Sequence, residues 1–110
     1  TGFIQGLGWL TCEELYFSQE GKLLTTGPST YKLPGSRDVP PIFNVKLLEN
    51  ADNDEKTIFR SKAVGEPPLL LAISHFLALK EAIKASLPSS KAELLNSPAT
   101  PSEILKAIYA

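Results

Sequence analysis

The stretch SKAVGEPPLLL (residues 61–71) sets one carboxylate, Glu66, between a glycine and two prolines at the mouth of an apolar run. Gly65 can adopt backbone angles that other residues avoid. Pro67 biases Glu66 away from helical geometry, towards an extended conformation. Pro68 suits the first turn of a helix, where its missing N–H costs nothing. The residues therefore describe a carboxylate held on a stiff turn at a helix entrance. Taken alone, such a group is a solvated charge that gains from the helix dipole.

Other groups capable of chemistry are weaker candidates. His75 is the sole histidine, and Leu71, Ala78, Leu79 and Ala82 put it on a mostly apolar helical surface. No second histidine or cysteine stands at ligand spacing, so its expected role is structural. Asp52, Asp54 and Glu55 have the look of a calcium loop without its glycine or its terminal glutamate, and read as a solvated hairpin tip. Gly6 and Gly8 fail the dinucleotide fingerprint, because Thr11 holds the third position and no strand precedes them. Close helix packing is the better reading of that pair. Cys12 has no base nearby in sequence, and Glu13 and Glu14 beside it oppose a thiolate.

Composition sets the outer limits. A chain of 110 residues with 43% hydrophobic and 21% charged residues is at most one modest globular domain. A formal net charge of −1 gives no field that would draw nucleic acid or an acidic membrane. One cysteine allows no internal disulfide and fits a reducing compartment, with the cytoplasm as the expected location. No apolar run is long enough to span a bilayer, and no signal-peptide pattern opens the sequence. Methionine is absent altogether, and the opening TGFIQG has the look of a piece of something longer.

The elements that must position these residues follow from periodicity. Residues 2–10 are apolar, with Gly2 and Gly6 on one face of an expected helix that needs tertiary support. Residues 12–18 and 22–27 flank QEG, where Gly21 suits a tight hairpin turn. Residues 42–49 alternate, with Phe43, Val45 and Leu47 on one face, and predict a half-buried strand paired with a second at 57–61. From Pro68 the spacing of Leu69, Ala72, Ile73, Phe76, Leu79 and Ile83 predicts a helix to about Ser86, ended before Pro88. Thr100-Pro101-Ser102-Glu103 has the form of a capping box for a last helix, with Ile104, Leu105 and Ile108 as its apolar face. The expected fold class is α+β: short antiparallel strands, with helices at the N-terminus and in the C-terminal half.

Four motifs occur together and in order: QGLGW with TCEEL (5–15), GPSTYKLPG (27–35), SKAVGEPPLLLA (61–72) and NSPATPSEIL (96–105). With them the chain resembles the C-terminal end of the molybdenum-binding subunit or domain of the xanthine dehydrogenase family. The resemblance runs over essentially all 110 residues, and the ending soon after NSPATP suggests the bacterial, separately encoded type. It implies that residues 1–110 are a single C-terminal fragment of a larger molybdopterin-binding domain. It implies further that Glu66 is the general base towards a hydroxide on molybdenum, and that Gly65 lies against the cofactor. The parent would oxidise hypoxanthine to xanthine to urate, using a molybdopterin cofactor here and iron–sulfur clusters and FAD held by other parts or subunits.

The family's G-Q-x-E-G run ahead of the QGLG segment, its substrate-orienting arginine and its other cofactor loops are not in this sequence. One edge of an active site is therefore expected, and no cofactor in the isolated fragment. The implied partners are a purine substrate, the rest of the molybdopterin-binding chain and the iron–sulfur/FAD subunit, with self-association through GFIQGLGWL once that cover is removed. Two alternatives stay open: an aldehyde oxidase or carbon monoxide dehydrogenase relative, and a non-catalytic module that kept the fold. Pro67 and Pro68 favour the xanthine type, because those relatives typically carry small residues after the glutamate.

Overall fold

The glycine-rich apolar opening does form a helix, α1 (Gly2–Thr11), although it contains Gly2, Gly6 and Gly8, each weakening it by about 1 kcal/mol relative to alanine. The computed structural model describes residues 2–62 and 65–110; Thr1, and Ala63 and Val64 of the SKAVGEPPLLLA motif, lie outside them. Among the described residues the other α-helices are α2 (Pro67–Leu71), α3 (Ile73–Ser86) and α4 (Pro101–Tyr109). Short 3₁₀ turns occupy Ser36–Asp38, Ile58–Arg60 and Ala92–Leu94. Among the described residues no helix is long and apolar enough to cross a membrane.

Among the described residues the expected β structure shrinks to one contact. Phe17 and Leu23 form an isolated antiparallel bridge, and Gly21 turns the chain between them at φ 81°. Residues 42–49 are not a strand: they run irregular and exposed, with Leu47 at 88%. Nor are residues 57–61, whose centre is a 3₁₀ turn with Phe59 at φ 51°. The α+β expectation is therefore corrected to a mostly helical fold among the described residues.

A physical cause lies in the polar stretch between the two expected strands. The Asn53 side-chain amide donates to Thr57 Oγ1 at 3.1 Å and to Ser61 O at 3.2 Å. Thr57 Oγ1 itself donates to Ser61 O at 2.6 Å. Side-chain bonds of this kind offer the backbone a curled alternative to a ladder. The acidic residues nearby are solvated as expected, with Asp52 reaching Arg60 only at 3.9 Å.

The helix predicted from Pro68 to Ser86 is two helices joined at Ala72, which is wholly buried. The C-terminal half of α3 gathers a small core: Ile83, Ala92, Leu95, Ala99 and Ala107, with Phe76, Leu79, Ile104 and Ile108 packed against them. Leu105, expected on the apolar face of α4, is instead 54% exposed, and Ala107 takes the inward position. Lys91 N donates to Ala107 O at 2.9 Å, and Ala99 N to Leu10 O at 2.7 Å, so this core is tied back to the end of α1. The radius of gyration is 18.4 Å, against about 13 Å for a compact chain of this length.

Half of the expected capping box is formed. Thr100 Oγ1 accepts from Glu103 N at 3.4 Å, while the Glu103 carboxylate turns to Lys106 at 2.6 Å and Asn96 at 3.4 Å. Those two donors, Lys106 foremost, hold Glu103 below the usual carboxylate range. Replacing Thr100 by alanine removes the cap while keeping the small buried volume. Thermal or urea unfolding should show a loss of about 1 kcal/mol; unchanged stability would mean that the cap is idle.

Candidate functional site

Glu66 stands at the entrance to α2 with φ −115° and ψ 39°, neither helical nor extended. Its backbone carbonyl accepts from Leu69 N at 3.0 Å and so opens the helix. Pro67 and Pro68 fill the first helical positions, where their missing N–H groups are not needed. The Glu66 side chain is exposed and makes no capping bond, so its carboxylate is not spent on the helix it heads. Gly65 is exposed as well, and among the described residues a Cβ there would meet only Pro67 Cδ, at 3.6 Å.

A five-residue helix cannot hold itself in place. The support comes from α1. A Cβ built on Gly6 would stand 2.5 Å from Leu69 O, 2.7 Å from Ala72 Cβ and 3.1 Å from Leu69 Cδ1. One turn earlier, a Cβ on Gly2 would lie 3.4 Å from Leu69 N and from Pro68 Cβ. The glycine face expected from the four-residue spacing is real, and its partner is the helix that Glu66 heads. A shallow cleft lined by Gln5, Trp9, Glu13 and Leu69 runs along this seam.

The remaining glycine of α1 faces elsewhere. A Cβ on Gly8 would overlap Pro34 of the GPSTYKLPG segment. Tyr31 of the same segment donates its hydroxyl to Glu13 Oε2 at 2.7 Å, just past the end of α1. Glu66, α2, α1 and residues 27–35 thus form one chain of contacts, which links three of the four motifs singled out from the sequence.

The other candidates stay apart. His75 is half-buried on α3, its backbone N–H donating to Ala72 O at 3.0 Å. Cys12 is a free, half-buried thiol with Sγ 3.6 Å from Lys32 O. Among the described residues no group of three or more His, Cys, Asp or Glu could hold a metal ion. A metal–pterin group would therefore find here an open carboxylate and an open glycine backbone, which fits one edge of a site and supplies no ligand set.

The sequence singles out the Glu66 turn and shows the Gly2–Gly6 face, but not the contact between α1 and α2 that joins them. Nor does it show Ala72 as the joint, or Tyr31 and Pro34 as the clamps on α1. The available signal for Ala72 was a small residue directly after PPLLL, where close approach needs one.

Comparison with known proteins completes the description. Residues 1–40 match the molybdopterin cofactor-binding domain family. The chain is 52% identical to a xanthine dehydrogenase/oxidase of Felis catus over 111 aligned residues, covering 96% of this chain and 8% of that protein. It is 52% identical to a xanthine dehydrogenase of Dictyostelium discoideum over 84 residues, covering 76% and 6%. Against xanthine dehydrogenase 2 of Arabidopsis thaliana the identity is 46% over 119 residues, covering 97% and 9%. The chain thus spans less than a tenth of the length of these relatives, and they are eukaryotic, which gives the expected bacterial type no support.

The Tyr31–Glu13 bond makes a pH prediction. The bond to Glu13, helped by partial burial, raises the Tyr31 phenol above its ordinary value of 10.0. A group raised in the folded state contributes stability that is complete below its unfolded pKa and lost as pH rises through the folded one. Tyr31→Phe should therefore lower the melting temperature at pH 8, by the equivalent of at most about 1 kcal/mol. The difference from wild type should shrink as pH rises beyond 10. A gap that is constant from pH 8 to 11 would contradict the bond.

Proposed function

The chain belongs to the xanthine dehydrogenase family as a segment, and on that premise we propose that it is the C-terminal part of the molybdopterin-binding domain of a purine-oxidising molybdenum hydroxylase, with Glu66 as general base. The observation that carries the reading is the identity over nearly the whole chain to proteins named xanthine dehydrogenase. The placement of Glu66 supports it: an exposed carboxylate, free of any capping bond, on a helix whose backbone is fixed by packing.

When bound, a molybdenum–pterin centre supplies the oxygen nucleophile and takes up the electron pair of the broken C–H bond. The part of this chain is to receive a proton at a Glu66 Oε. A general base must stand within hydrogen-bond reach of the proton that it takes. Pro67 and Pro68 hold the backbone from which that side chain starts, and Gly65 leaves room for the cofactor to come close. The other cofactor-holding loops, the iron–sulfur clusters and FAD belong to the rest of the parent or to its partner subunit. A single unpaired cysteine suits a parent that works in the cytoplasm.

In the parent, the exposed apolar residues of 42–48 (Ile42, Val45, Leu47, Leu48) and the outward side of α2 and α3 (Leu70, Leu71, Leu77) are covered by segments outside these 110 residues. Of the expected GFIQGLGWL patch, Leu7 is buried and Trp9 is 59% exposed, so the self-association expected of the isolated chain would run mainly through the other residues.

Two experiments test the reading. Metal analysis of the purified 110-residue chain should find no stoichiometric molybdenum, because cofactor sites need several converging segments; one molybdenum per chain would contradict it. In the complete enzyme, Glu66→Gln keeps the shape and removes the basic oxygen. Turnover should fall by about 10²–10⁴-fold, with cofactor content near normal and substrate binding changed less than turnover. A cofactor-loaded variant that turns over normally would refute the assignment.

A further inference from the structure

We propose that Gly6 is a positioning residue for Glu66: the absence of a side chain at Gly6 sets how closely α2 lies on α1, and thereby where the Glu66 carboxylate begins. This rests on the reading of Glu66 as the base. The contact is with backbone, so it cannot be relieved by a rotamer change. A methyl group on Gly6 would sit 2.5 Å from Leu69 O and 2.7 Å from Ala72 Cβ, far inside the ~3.5–4.0 Å optimum for non-bonded carbon atoms. Ala72 is fully buried and has nowhere to retreat. The two helices must therefore separate at Leu69, and Leu69 N is bonded to Glu66 O at 3.0 Å. From Gly6 to Glu66 the path is one packing contact and one backbone hydrogen bond.

The glycines of α1 differ in this respect. Gly2 could accept a methyl group at ordinary contact distance from α2, and Gly8 faces Pro34 on another side of the helix. Alanine at Gly6 would favour the helix itself by about 1 kcal/mol, so helix propensity does not account for the glycine. Close approach to α2 does. A base displaced by about 1 Å can lose about 10²-fold in rate, so the position matters even if the fold tolerates the change.

The test is a double-mutant cycle in the complete, cofactor-loaded enzyme. Gly6→Ala should lower kcat by about 10–10²-fold while KM and molybdenum content stay close to wild type. In a Glu66→Gln background the same change should alter the residual turnover by less than about 3-fold, because the group it displaces is already silent. A crystal structure of the Gly6→Ala enzyme should show Leu69 and Glu66 shifted away from α1. Gly2→Ala, on the same helix, should leave kcat within about 3-fold, since its methyl group meets α2 at an ordinary contact distance. If Gly6→Ala does not fold, Leu69→Ala empties the same contact instead of overfilling it, and its cycle with Glu66→Gln should be equally non-additive. Equal losses in both backgrounds, or a loss with Gly2→Ala as large as that with Gly6→Ala, would overturn the positioning role alone. Normal turnover of Glu66→Gln by itself would overturn the base assignment, and this proposal with it.

Discussion

Two backbones that touch, α1 at Gly6 and α2 at Leu69, are the constraint on which the rest of this structure depends. A short helix headed by a proline pair has little stability of its own. It acquires a fixed place because the facing helix has no side chain at the point of contact. α1 is anchored in turn by Pro34 against Gly8, by the Tyr31–Glu13 bond and by the Ala99–Leu10 backbone bond. Three glycines in one helix would be a poor choice for helix stability alone. They are understandable as the faces on which two other segments rest.

Much of the helical part could be read directly. The apolar opening, the proline pair at the start of α2, the end of α3 before Pro88 and the Thr100 cap all rest on local chemistry, and local chemistry is what a sequence shows. The glycine spacing gave the packing face of α1. It could not give the partner, because Leu69 and Ala72 are far away in the chain and only the fold brings them together. Glu66 stood out by its turn, yet the residues that support that turn did not.

The β part was misread for a physical reason. Alternation in residues 42–49 reports which side chains a covering surface would bury; Phe43 meets the Phe3 ring of α1 at 5.7 Å, while Val45 and Leu47 stay exposed. A strand is defined by its ladder partner, whereas a helix satisfies its backbone within itself. The core tells the same story: its buried members are small or few, and no large side chain is fully buried among the described residues. With a radius of gyration of 18.4 Å, the chain has the shape of a layer in a larger body, not of a self-sufficient globule.

The central claim is that α2 owes its fixed position to α1. Native-state hydrogen exchange on the complete enzyme tests it most directly, because it reads local opening without reference to turnover. The account predicts that the Leu69 and Ala72 amides exchange as slowly as those in the middle of α1 and open together with them as one unit. Fast exchange at Leu69 and Ala72 while α1 stays protected would show that the two helices are not coupled, and would contradict the account.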